Sequence, residues 1–119
     1  MLKFGEFIKE NGGYNIPIVS ISNDVNLDEI NEELDECTDE SFANPYVGWL
    51  NISNILVEHG IELPKVLFED IQETEEVIIL NFNESEYYFY YNHRLNEEGH
   101  YESFAIITDE TGLDELLEE

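Results

Sequence analysis

Apolar positions along this chain change period partway, and the change predicts the order of its elements. Leu2, Phe4, Phe7 and Ile8 recur at helical spacing before Gly12-Gly13, which predicts a short docked helix over 2–11. Residues 16–21 form a β-branched run broken by Pro17 and Ser20, a short strand that Pro17 confines to an edge or a strand start. Leu27, Ile30 and Leu34 then share one face of a helix within 23–40, with Asn26 as its N-cap. Asn44-Pro45 opens a further helix whose buried face is expected to use Val47, Leu50, Ile55 and Leu56, widened by Trp49 and Ile52, and which ends at Gly60. Leu63-Pro64 reopens the chain, and 66–71 fits either a short strand or a turn of helix.

From Glu76 onward the period falls to two. Strands are predicted at 76–82, 86–92 and 101–108, with Asn83-Glu84-Ser85 and Asn96-Glu97-Glu98-Gly99 as turns. An even loop in the first hairpin puts Ile78, Leu80 and Phe82 on one face with Tyr87, Phe89 and Tyr91. Val77 and Ile79 then share the other face with Tyr88 and Tyr90. Leu113, Leu116 and Leu117 mark a C-terminal helix. The expected architecture is a single α+β domain over 1–119, an antiparallel β-meander of three to four strands packed with three to four helices.

Charge changes this picture of an ordinary small domain. Twenty-nine Asp and Glu stand against four Lys and Arg in 119 residues, a formal net charge of −25. Self-repulsion on that scale weakens a compact state, and a small domain needs a net charge of only about 2 to 8 for solubility. Hydrophobic residues at 42% and aromatics at 13% are too abundant for a disordered acidic tail, so the chain folds despite its charge. Two alanines against thirteen isoleucines and twelve asparagines point away from salt adaptation. A lone cysteine, Cys37, suits a reducing compartment. The first residues do not read as a signal peptide, and no apolar run reaches a membrane-spanning length. These features predict a cytoplasmic protein that binds neither nucleic acid directly nor anionic lipid, and whose partner is basic.

The acid is clustered. Residues 24–40 hold nine carboxylates and no base: Asp24, Asp28, Glu29, Glu32, Glu33, Asp35, Glu36, Asp39 and Glu40. On a helix, Asp28/Glu32/Asp35/Glu36 and Glu29/Glu33/Glu36/Glu40 form adjoining rows about 5 to 6 Å apart. Glu69, Asp70, Glu73, Glu75 and Glu76 make a second cluster, and six carboxylates between Asp109 and Glu119 make a third. DNA presents one charge per roughly 1.7 Å of axis, so a groove built for it accepts rows of anions. In size, charge, α+β character and acidic rows, the chain resembles the small acidic DNA-mimic inhibitors of phages and mobile elements, the anti-CRISPR and antirestriction class. That resemblance implies a non-catalytic inhibitor occupying the nucleic-acid groove of a CRISPR effector, restriction enzyme or nuclease. An immunity protein neutralising a toxin nuclease, and an acidic adaptor or scaffold, are the alternatives.

Other chemistry has little support in the residues. Asp24, Asn26 and Asp28 have the opening spacing of an EF-hand loop, but its glycine position is Glu29 and its last position is Asp35. His59, His93 and His100 are too scattered for a metal motif. His59 is expected at a helix C-terminus, and His93 and His100 on the surface. Carboxylates beside Cys37 should raise its pKa and make it a poor nucleophile. No catalytic residue, cofactor or metal site is assigned. Tyr88 and Tyr90, if their face stays open, are candidate interface anchors; otherwise they belong to a strand covered on both sides.

Overall fold

A computed structural model describes residues 18–22, 24–63, 73–82 and 85–117; the expected helix over 2–11, the 66–71 segment and the Asn83-Glu84 turn lie outside them. The elements in order are β1 (Ile18–Ile21), α1 (Leu27–Cys37), α2 (Pro45–Glu58), β2 (Glu73–Phe82), β3 (Ser85–Leu95), β4 (Tyr101–Thr108) and α3 (Glu110–Leu117). They form an α+β unit with one four-stranded sheet in the order β1-β2-β3-β4.

The sheet is mixed, which corrects the purely antiparallel meander. β2, β3 and β4 pair antiparallel as consecutive hairpins, whereas β1 lies parallel to β2, with Ile18 opposite Ile79. Parallel neighbours need a long crossover, and α1 and α2 both fall between β1 and β2. β2 and β3 are also longer than their apolar cores predict, because the pairing carries through Glu73–Arg94 at the polar end. Phe82 faces Ser85 across a two-residue loop, the even count that fixes which residues share a face.

Two cores follow from that register. Ile78, Leu80, Phe89, Tyr91, Ala105 and Ile107 pack with Ile30 and Leu34 of α1 and Ile52 and Leu56 of α2. Trp49 meets Tyr91 and Phe89 edge-on, with ring centroids 4.8 and 6.0 Å away. On the opposite face Val77, Tyr88 and Tyr90 pack with Leu113 and Leu117 of α3.

Local signals set the helix ends. The Asn26 side chain accepts the Glu29 N–H at 3.1 Å, and the Asn44 side chain accepts that of Tyr46 at 2.8 Å. α2 ends at Glu58 with His59 as its cap, just short of the expected Gly60, whose φ of +85° then turns the chain out of the helical region at little cost to glycine. The Ile61 N–H then returns to the Leu56 carbonyl at 2.8 Å. Asn96 likewise organises the β3–β4 turn, its side chain accepting from the Glu98 and His100 N–H groups. One expectation for α2 is corrected, since Leu50 points outward, while Ile52 is fully buried as expected. At 100° per residue, Ile52 and Leu56 align with the sheet while Leu50 lies on the far side.

Unpaired backbone on an edge strand invites pairing with another chain. At Ile107 of β4 the side chain of Asn31 takes the place of a neighbouring strand. Its Nδ2 donates to the Ile107 carbonyl and its Oδ1 accepts the Ile107 N–H, both at 2.9 Å. Phe42 makes the matching backbone pair with Tyr101. Asn31→Ala should lower the unfolding free energy by about 1–3 kcal/mol, read from urea titration, because two partly buried backbone groups lose their partners together.

Buried phenols predict alkaline sensitivity. Burial pushes the hydroxyl pKa of Tyr91 up, with the Glu76 carboxylate adding to it. Burial and then Glu86, Glu110 and Asp114 raise that of Tyr88. Both groups favour the neutral form when folded, so the folded chain holds more protons than the unfolded one above pH ~10, where free tyrosine ionises. Stability should be unaffected by these groups below that pH and should fall as pH rises beyond it. Urea midpoints between pH 9 and 11.5, followed with tyrosinate absorbance, check this.

Candidate functional site

The outer surface of α1 is built by subtraction. Leu27, Ile30, Leu34 and Cys37 take the inward stripe, and Asn31 turns to β4. The remaining helical positions are acidic: Asp28, Glu29, Glu32, Asp35 and Glu36 are exposed, and Glu33 is partly covered. Asp24 precedes the helix and Asp39 and Glu40 follow it, all three exposed. The helix ends at Cys37, so the expected row running on to Glu40 is corrected: Asp39 and Glu40 leave the helical spacing where the apolar stripe runs out. The structure thus gathers the nine carboxylates on one element and its flanks. Eleven helical residues extend about 16 Å, the scale of a short run of phosphates.

Among the described residues, almost nothing neutralises this surface. Arg94 is the sole Lys or Arg among the described residues, and it lies 3.9 Å from Glu102 on the β3–β4 hairpin. Among those residues, Glu33 is the one cluster member whose carboxylate meets a side-chain nitrogen, Nε2 of His59 at the end of α2. His59 does occupy a helix C-terminus, but its ring bridges to α1, a contact that no local pattern announces.

Asp28/Glu32, Glu29/Glu33 and Glu32/Glu36 are like-charged i,i+4 pairs costing about 0.2–0.5 kcal/mol each. Asp35 and Glu36 also sit in the last turn, where the helix dipole disfavours anions and no base is present. Burial of Ile30 and Leu34, at about 1.5–3 kcal/mol apiece, outweighs both terms and keeps the helix docked.

Tyr88 and Tyr90 are corrected as interface anchors. They are only 6% and 3% exposed, because α3 lays Leu113 and Leu117 across their face. The Tyr90 hydroxyl donates to Glu75 at 2.5 Å and accepts from Asn92 at 3.1 Å. These groups line a groove of about 730 Å³ that also includes Glu73, Glu102 and Phe104. His93 is likewise corrected from surface to core: β3 continues past Asn92, so alternation turns its ring inward, 2.7 Å from the Tyr91 hydroxyl.

Among the described residues, no group of three or more His, Cys, Asp or Glu is arranged to hold a metal ion. The EF-hand-like spacing is spent on a helix start, with Asn26 as its cap. Burial, followed by the charge of Glu40, raises the Cys37 thiol pKa above the ordinary cysteine value. No described helix is long and apolar enough to cross a membrane. The outer face of α2 escaped the sequence reading, although its signal was visible as a run from Ser41 to Val57 without one charged residue. No protein-family model, curated protein or solved structure matches the chain.

Two outcomes follow. The melting temperature should rise with added NaCl between 0.01 and 0.5 M as self-repulsion is screened, and Glu29→Gln/Glu32→Gln/Glu36→Gln should raise it at low salt and flatten that dependence. Alkylation of Cys37 should be slower at pH 7.5 than that of a free cysteine peptide and should accelerate at higher pH, where thiolate forms.

Proposed function

We propose that this protein is a non-catalytic inhibitor that occupies the nucleic-acid groove of a basic partner by presenting carboxylates in place of phosphates. The observation carrying this reading is the composition of α1. Every outward position that is not used for packing is acidic, and no Lys or Arg lies among them. A surface helix under selection for stability alone would alternate signs and place bases in its last turn. The mixed sheet and its two cores give the carboxylates a rigid mount. A field of one sign also speeds encounter with a basic groove and excludes nucleic acid from it. The anti-CRISPR and antirestriction class fits this reading, and toxin-nuclease immunity shares its physics.

Titration against three purified probes tests it: a guide-loaded CRISPR nuclease, a restriction endonuclease and a toxin nuclease, each with and without competing duplex DNA. The expected result is binding to at least one of them, competed by DNA and weakened steeply by salt. Glu29→Gln/Glu32→Gln/Glu36→Gln, which leaves the Glu33–His59 pair in place, should weaken that binding at least tenfold and shallow its salt slope. Binding that ignores both DNA and this triple change would sink the reading.

A further inference from the structure

We propose that the uncharged outer stripe of α2 is the apolar centre of the docking surface, and that its occupant is an apolar patch on the same basic protein whose Lys and Arg face α1. The inference rests on the function proposed above and adds a second, chemically different half to the interface. Tyr46, Leu50 and Val57 are 47%, 57% and 56% exposed. Spaced four and seven residues apart, these three fall on one face of the helix, while Ser53 between them is partly covered with its hydroxyl buried. Asn51 and Asn54 flank that face, and no charge appears before Glu58.

In a chain where 28% of residues are charged, a charge-free, aromatic-bearing exposed stripe is the composition of an interface centre. α1 and α3 put carboxylates along their outer faces, whereas α2 carries none before its last residue, Glu58. α1 and α2 share one core on the same face of the sheet, with Ile30 and Leu34 beside Ile52 and Leu56, and the Glu33–His59 pair also joins them, so the stripe and the acidic surface lie on neighbouring helices.

Charge complementarity selects the occupant. A second copy would bring a formal −25 against −25, which repels. A partner carrying Lys and Arg beside an apolar patch satisfies both helices at once. Exposed ion pairs each contribute little affinity, so they govern encounter and specificity, while a desolvated aromatic and aliphatic centre slows dissociation.

Leu50→Glu and Leu50→Asn/Val57→Asn test this with whichever of the three probes the wild-type chain binds. Leu50→Glu is decisive because it adds an anion. If charge alone holds the complex, affinity is unchanged or improves; if the stripe docks, affinity falls at least tenfold while the slope of log Kd against log salt keeps its wild-type value. The Glu→Gln triple variant moves the slope instead, so loss of the acidic reading and loss of the stripe are read separately. Wild-type affinity in both stripe variants overturns the proposal. So does a wild-type dimer in sedimentation velocity that Leu50→Glu dissolves, which assigns the stripe to a second copy. A fall of more than about 5 °C in the melting temperature of Leu50→Asn/Val57→Asn assigns it to the chain's own packing and overturns it too. Failure of all three probes to bind the wild type removes the function reading, and this inference with it.

Discussion

Everything in this fold answers to one strand that is apolar on both sides. β3 sends Phe89 and Tyr91 to one face of the sheet and Tyr88 and Tyr90 to the other, and all four are buried. Such a strand is unstable at an edge and insoluble if only one side is covered, so it needs strands on both flanks and helices on both faces. β2 and β4 supply the flanks. α1 and α2 cover one face, and the short α3 covers the other. Burying each large side chain stabilises by about 1.5–3 kcal/mol, and those contributions hold the chain compact against its own charge.

That arrangement sends the carboxylates outward. With the apolar residues committed to two cores, the acid occupies the outer surface of α1, the outer side of α3 and the polar ends of the strands. α1 shows the competition most clearly. Its like-charge pairs and acidic last turn oppose the helix by about 1–3 kcal/mol in total, a load that Ile30 and Leu34 can carry. Asn31 completes the mount by joining the helix to the edge of β4 with two hydrogen bonds. The acidic surface is thereby fixed to the sheet by both apolar and polar contacts.

The two helices packed in one core, α1 and α2, carry two kinds of outer surface. One is dense in charge; the other, along Tyr46, Leu50 and Val57, has none. Long-range fields bring partners together, and short-range desolvation keeps them there. The Glu33–His59 pair ties the two helices to each other.

Elements with strong local signals were legible in the sequence. Asn26 and Asn44 announced their helix starts, Gly60 a helix end, and the Asn96–Gly99 turn a hairpin, because caps and turns depend on the residues within a few positions. Period-two alternation also sorted Tyr87, Phe89 and Tyr91 from Tyr88 and Tyr90, and clustered the acid on one helix. Which neighbour each set met depended on packing between distant segments. The parallel pairing of β1, the outward turn of Leu50, the inward turn of His93 and the covering of Tyr88 and Tyr90 by α3 all depend on elements distant in sequence. So does the reach of Glu33 to His59. Local patterns fix how a segment curls and which residues share a side; the neighbour that side meets is set by packing the whole chain around its most apolar strand.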